Sequence, residues 1–156
     1  MKFSIASLLL LFFTMSCLAQ KNLSAISEKN GMVGIGTNTP DEMLTVKGKI
    51  HTQEVLVDLN GAVAPDYVFE RYYNGHSALK SEYRMLDLKS LEVFLKQNHH
   101  LPEIPSADTL KKEGLELKEM NLLLLQKIEE LTLYTLEQQK QINLLQEQVR
   151  LLMIQD

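Results

Sequence analysis

The 156-residue sequence lacks a cysteine pair, a long apolar run and an excess of basic residues. Cys17 is the single cysteine, which excludes a disulfide framework within the chain. The apolar run Ile5–Phe13 is too short to cross a bilayer, and no later segment reaches the roughly 20 apolar residues that a span requires. Basic residues number 16 against 20 acidic ones, for a net charge of −4, which argues against a nucleic-acid partner.

The N-terminal apolar run is typical of a secretion signal. The small residues Cys17 and Ala19 suit a signal peptidase, so we predict a signal peptide over residues 1–19 with cleavage after Ala19. An alternative is lipoprotein processing before Cys17. Ser16 favours that alternative, whereas Thr14 stands where a lipoprotein signal usually has Leu. The chain is therefore expected to be secreted or held at the cell surface.

Residues 20–30 are predicted to be a flexible lead-in, and residues 31–61 a β-strand segment that contains several glycines. Val33 with Ile35, and Leu44 with Val46, alternate with Gly or polar residues, which is the period of a strand. No helix start follows the glycines, so they are interpreted as strand and turn residues rather than as a phosphate loop. The predicted elements are strands around Val33–Ile35 and Leu44–Val46, a turn at Asn38–Asp41, a strand Glu54–Leu59 and a turn at Asn60-Gly61.

Residues 62–115 are predicted to form a small α+β collar. Asp87 and Ser106 are suited to cap the starts of two helices, and Gly114 to end the second. Tyr67, Val68 and Phe69 are expected to supply core. The predicted elements in order are an extended aromatic stretch Ala64–Phe69, a loop Arg71–Ser81, a helix Leu88–Gln97, an extended stretch His99–Pro105 and a short helix that ends at Glu113.

Residues 116–156 are predicted to be one long helix with a coiled-coil seam. With heptad position a at Ile128 and d at Leu131, Ile or Val recurs at a and Leu at d. A lone helix cannot bury such a stripe, so the pattern predicts association of chains. The collar is expected to cover Leu117–Leu125 and to leave the later part free. The predicted seam is Asn121, Leu124, Ile128, Leu131, Thr135, Gln138, Ile142, Leu145, Val149 and Leu152.

A leucine-rich helix also suggests a zipper transcription factor, which would need a basic region just upstream. Here Lys111, Lys112 and Lys118 are interleaved with acidic residues, so this interpretation is rejected. Ile at a with Leu at d favours two strands. The polar pair Thr135 and Gln138 in the middle of the seam is a plausible register device.

Several motifs together resemble the C-terminal module of secreted tail-fibre-like proteins of Bacteroidota. More distantly, they resemble the intramolecular chaperone domain of phage tail spikes. The resemblance implies a homotrimer, and we predict a trimer over a dimer. The chaperone domain cuts itself off at a Ser-Asp, but this chain has Ala64-Pro65-Asp66, so self-cleavage is not expected. The motifs are Val33–Thr37 with Leu44–Gly48, Asp66–Phe69, Leu91–Val93, His100–Ser106 and Lys127–Tyr134.

Residues that could carry chemistry are sparse. His99-His100 is the only clustered pair of potential metal ligands, and adjacent residues of an extended segment point to opposite sides. No serine has a Gly-x-Ser-x-Gly context. We therefore expect no enzyme, cofactor or metal, and predict an exported structural module for trimerisation and assembly. The alternative is a surface binding module that recognises a glycan or protein through the collar or β tip, for which Tyr67, Tyr72 and Tyr73 would have to face solvent together.

Overall fold

A computed structural model describes the main chain from Ala25 to Gln155. The predicted signal peptide and the start of the lead-in lie outside these described residues. The chain is α+β, with a three-stranded sheet and a long C-terminal helix, as the sequence predicted. It divides into two compact units, the first ending at Val55 and the second beginning at Leu56. Among the described residues, no helix is both long and apolar enough to cross a membrane.

The first unit contains strands β1 (Ile26–Lys29), β2 (Met32–Ile35) and β3 (Leu44–Val46). β1 pairs antiparallel with β2, and the turn between them is Asn30-Gly31, whose φ angles of 55° and 79° suit a tight hairpin. β1 therefore lies within the stretch predicted to be a flexible lead-in, and that part of the prediction was wrong. The hairpin signal Asn-Gly was present in the sequence and was missed.

β2 and β3 confirm the two strands predicted from alternation, and they pair in parallel. Gly34 lies at the close approach in this sheet, because a Cβ there would be 2.4 Å from the carbonyl oxygen of Thr37. Between the two strands, the Thr45 hydroxyl accepts hydrogen bonds from the main-chain N–H groups of Asp41 and Glu42. These bonds hold the bend that the sequence predicted around Pro40.

No strand forms at Glu54–Leu59, which corrects the third predicted strand. Between Val46 and Tyr67 the described chain has neither helix nor strand, and Leu56 is 90% exposed. A short apolar run is insufficient because a strand also needs a neighbour to satisfy its main-chain hydrogen bonds. The predicted turn at Asn60-Gly61 is confirmed, and the Ala62 N–H donates to the Leu59 carbonyl across it at 3.0 Å.

The second unit begins with helix α1 (Tyr67–Asn74), where the sequence predicted an extended stretch followed by a loop. Both predictions were wrong over these residues. α1 ends at Gly75 with a φ of 77°, the left-handed conformation that glycine adopts without strain. The helix forms because Tyr67 and Val68 can bury one face against the rest of the unit.

Three further helices follow and confirm the predicted caps. Asp87 caps the start of helix α2 (Leu88–Asn98), and its carboxylate accepts a hydrogen bond from the Ser90 N–H. Ser106 caps the start of helix α3 (Ala107–Glu113), and its hydroxyl accepts a hydrogen bond from the Thr109 N–H. Helix α4 (Leu117–Gln155) is 39 residues long, so the predicted long helix is also confirmed. The core of the unit consists of Tyr67, Val68, Tyr83 and Leu133, with Phe69 and Met85 packed against it.

Candidate assembly surface

Helix α4 has one face that is buried by its own chain. Gln126, Glu130 and Leu133 recur at a spacing of four and three residues, which places them on one side of a helix. Gln126 and Leu133 are 0% and 1% exposed, and Glu130 is also buried. In the heptad frame these are positions f, c and f, which lie opposite the a/d seam. The buried face and the predicted seam are therefore on different sides of the helix.

The covered part of α4 lies further along the chain than expected. Leu117, Leu124 and Leu125 are exposed, whereas burial is centred between Gln126 and Leu133. Met120, Leu122 and Leu123 are half-buried, so the prediction that the collar covers Leu117–Leu125 is confirmed only in part. The reason is that the large rings of the collar contact the helix through polar partners that begin at Gln126.

A buried hydrogen-bond network fixes the collar to α4. The Tyr67 hydroxyl donates to Gln126 Oε1 at 2.6 Å, and the Tyr83 hydroxyl donates to Glu130 Oε1 at 2.9 Å. Gln126 Nε2 donates to the same Glu130 oxygen at 2.8 Å, and Lys127 Nζ forms an ion pair with Glu130 at 2.9 Å. Each of these four side chains thus has a partner, which is the condition under which such a network holds a unique packing.

Lys80 and Glu103 extend this network toward the surface. Lys80 Nζ lies 3.1 Å from Glu103 Oε2 and 5.0 Å from the centroid of the Tyr67 ring. Burial opposes ionisation of Glu103, but hydrogen bonds from Gln126 and Lys80 outweigh it and lower the pKa of that carboxyl. Burial, and then the charge of Glu130, raise the pKa of the Tyr83 hydroxyl, which stays protonated and able to donate. These polar residues were not singled out in the sequence, because their spacing looks like an ordinary solvated face.

Glu129 is the exception in the buried face. Its side chain is only 6% exposed, and Oε2 has no hydrogen-bond partner among the described residues. Burial, followed by the nearby charge of Asp66, raises the pKa of Glu129 to about 7. Asp66 precedes the first residue of α1 and makes no side-chain cap to that helix. The buried Glu129 carboxyl is therefore harder to ionise than an exposed glutamate.

The predicted seam is exposed in the single chain. Its seven apolar residues are 45–65% exposed, in contrast with the buried face behind them. Thr135, one of the polar seam residues, donates its hydroxyl to the Leu131 carbonyl at 2.8 Å, which leaves its methyl group free for contact. The structure contains one chain, so burial of the seam residues against another copy stays a prediction. The seven residues are Leu124, Ile128, Leu131, Ile142, Leu145, Val149 and Leu152.

A largely apolar groove of about 680 Å³ runs along one flank of the seam. One wall is formed by Tyr72 of α1 and by the segment Met85–Leu88 that leads into α2. The floor comes from α4 and includes the seam residues Gln138, Ile142 and Leu145. The groove was not foreseen, because it depends on how α1 and the start of α2 sit against α4.

The residues considered for chemistry do not converge in the structure. His99 is the left-handed residue that ends α2, and the His100 ring packs edge-on against Phe94 with 5.7 Å between centroids. In the described part of the chain no three His, Cys, Asp or Glu side chains are grouped as metal ligands. Of the tyrosines considered for a ligand, Tyr67 is buried, whereas Tyr72 and Tyr73 are exposed.

Searches with protein-family models, among curated proteins and among solved structures find no match to this chain. The resemblance to tail-fibre-like modules therefore rests on the sequence motifs alone and stays a prediction.

Proposed function

We propose that this chain is an exported assembly module without catalytic activity, in which the α4 helices of three copies associate as a parallel coiled coil. The observation that carries the proposal is that one face of α4 is buried by the collar while the opposite, apolar face is exposed. Gln126 and Leu133 face the chain's own collar, while Ile128 and Leu131 on the other side are exposed. Because the collar already covers the opposite face, the seam is the apolar surface with heptad spacing that is left for other copies.

The free energy available at the seam is substantial. Full burial of a Leu, Ile or Val side chain stabilises by roughly 1.5–3 kcal/mol, and about half of each seam residue remains exposed. The seven residues together therefore offer on the order of 5–10 kcal/mol per chain. Part of this gain offsets the entropy lost on association. Three chains are favoured over two because the sequence motifs resemble trimeric fibre modules.

Absolute mass measured by light scattering tests the proposal. We compare the exported chain with a seam variant, Leu131→Asp/Leu145→Asp, and with a matched control, Leu144→Asp/Leu151→Asp. The control adds the same two charges to α4 at exposed leucines off the seam. The expected masses are three chains for the wild type, one for the seam variant and three for the control. A monomeric wild type, or a control that dissociates as readily as the seam variant, would refute a coiled coil along this seam.

Export is proposed from the N-terminal sequence. Mass spectrometry of the protein isolated from its source cell distinguishes the two processing routes. An N-terminus at Gln20 fits signal-peptide removal after Ala19, whereas an acylated Cys17 identifies a lipoprotein held at the surface. An intact N-terminus at Met1 would contradict export by either route.

A surface binding module remains the second candidate, favoured by one exposed aromatic pair. The rings of Tyr72 and Tyr73 are 4.9 Å apart and nearly perpendicular, and both side chains are exposed. Binding of the chain to an array of cell-surface glycans, repeated with Tyr73→Ala, tests this function. Binding that is lost in the variant would support it, and a wild type that binds no glycan would remove its best site.

A further inference from the structure

The groove beside the seam shares its floor with the predicted coiled coil. Tyr134 and Gln141, which occupy heptad position g, lie on this floor beside the seam residues Gln138 and Ile142. The collar segment Met85–Leu88 stands above them as a wall, and Leu88 is 47% exposed. In a parallel coiled coil, the g flank of one helix faces the e flank of its neighbour. A helix packed on the seam would therefore lie against this collar wall.

Leu136 is an apolar residue of α4 that neither the seam nor the collar accounts for. It occupies position b, next to the e flank, and is 45% exposed. If the helix of a neighbouring copy is parallel and in register, its Leu136 lies at nearly the same level along the axis as the groove, which spans Leu133 to Leu145 of α4. The groove wall and Leu136 are on opposite flanks of the seam, so one chain cannot bring the two together on its own helix.

We propose, on the basis of the proposed coiled coil, that the groove of each copy receives the neighbouring helix, with the partner's Leu136 in contact with Leu88. Each chain then offers a groove on one flank and a leucine on the other. This arrangement closes around a rotation axis with the same contact repeated at every interface. The collar thereby contributes to the interface between copies as well as backing its own helix.

The exposed area favours another copy of this chain as the occupant. A half-exposed Leu, Ile or Val presents on the order of 100 Å², so the seven seam residues offer about 700 Å² per chain. In a trimer each chain divides this area between two neighbours, about 350 Å² for each contact, so the groove wall and Leu136 add surface that the seam alone lacks against the roughly 800 Å² per partner that stable interfaces bury. The groove is continuous with this surface, because Ile142 and Leu145 belong to both. A small apolar ligand is the other possible occupant, and it would leave Leu136 without a role.

A double-mutant cycle on association tests the contact. We measure the protein concentration at which half of the assembly dissociates, in urea chosen so that the wild type dissociates at micromolar concentrations. Leu136→Ser and Leu88→Ser are each expected to raise this concentration by about tenfold or more, since each removes a buried leucine. The double variant is expected to exceed the larger single effect by less than about threefold, because both changes remove one contact. Leu151→Ser, a similarly exposed leucine below the groove, is the control and should shift it by less than about threefold.

The outcomes separate this inference from the proposed function. A wild type that assembles while Leu136→Ser behaves like Leu151→Ser would overturn the groove contact and leave the coiled coil standing. This is also the result expected if a small ligand fills the groove. Additive effects of Leu88→Ser and Leu136→Ser would likewise overturn a direct contact between the two leucines. A wild type that stays monomeric at every concentration would overturn both proposals.

Discussion

Replacing Glu129 with glutamine should stabilise the protein at neutral pH and flatten its pH dependence. Glutamine has nearly the shape of a protonated glutamic acid but never ionises. In the folded chain the pKa of Glu129 is raised to about 7, mainly by burial and then by the charge of Asp66. The ordinary value is 4.5. Between these values the folded chain keeps a proton that the unfolded chain has lost, so the wild-type free energy of unfolding falls as pH rises from about 5 to about 7.

The size of this effect follows from the two pKa values. Their difference, at 1.36 kcal/mol per pKa unit, sets an upper bound of about 3 kcal/mol on the stability that the wild type loses across this range. Relaxation around the charged carboxylate reduces the loss, and we expect about 1–3 kcal/mol at pH 8. In Glu129→Gln this loss is absent.

Urea unfolding followed by circular dichroism at pH 5, 6, 7 and 8, at one protein concentration, measures the effect. The quantity compared is the difference in free energy of unfolding between wild type and variant, in which the contributions of other titrating groups cancel. Glu119→Gln, at an exposed position of the same helix, removes the same charge and should give a difference that is independent of pH. Equal pH dependence of the wild type and Glu129→Gln would refute a protonated Glu129 in the folded chain.

Three further substitutions test the packing. Leu133→Ala should lower the free energy of unfolding by about 2–5 kcal/mol, measured in urea, because Leu133 is 1% exposed in the core. Tyr83→Phe should cost about 1–3 kcal/mol in the same assay, since it removes the hydrogen bond to the buried carboxylate of Glu130, and an unchanged midpoint would contradict that bond. Gly34→Ala should separate β1 from β2, because its Cβ would lie 2.7 Å from Ser27 Oγ of β1 and 2.4 Å from the Thr37 carbonyl oxygen to which that hydroxyl donates, and nuclear Overhauser contacts across the β1–β2 pair should be lost.

The features predicted correctly are those whose cause is local in the sequence. Asp87 and Ser106 cap helices through bonds to N–H groups three residues away, and both caps form as predicted. The length of α4 follows in the same way from a periodic pattern without breakers. The period of the seam is visible in the same way, but its role as an interface between copies stays a prediction.

The features that were missed depend on residues far apart in the chain. Gln126 looks like a solvent-facing residue until the Tyr67 hydroxyl, 59 positions earlier, supplies its partner. Tyr67 itself was expected in an extended stretch, although it begins a helix whose face is buried against the rest of the unit. The predicted strand Glu54–Leu59 contains the apolar run Val55–Val57 but has no neighbouring strand to pair with. The sequence of one segment does not show whether a neighbouring strand is there to pair with it.

The support that the collar gives to α4 ends well before the helix does. Tyr72 reaches as far as Lys140, where its hydroxyl lies 3.4 Å from Nζ, and the groove ends at Leu145. The remaining turns, Gln146–Gln155, extend a helix that is already nucleated but lack the tertiary packing from which most helical stability in proteins comes. In a single chain their amide hydrogens should exchange rapidly with solvent, while those near Leu133 exchange slowly. Slow amide exchange in these last turns would therefore report association of the chains. In that case the C-terminal end of α4 becomes ordered only when the copies assemble, after the rest of the molecule.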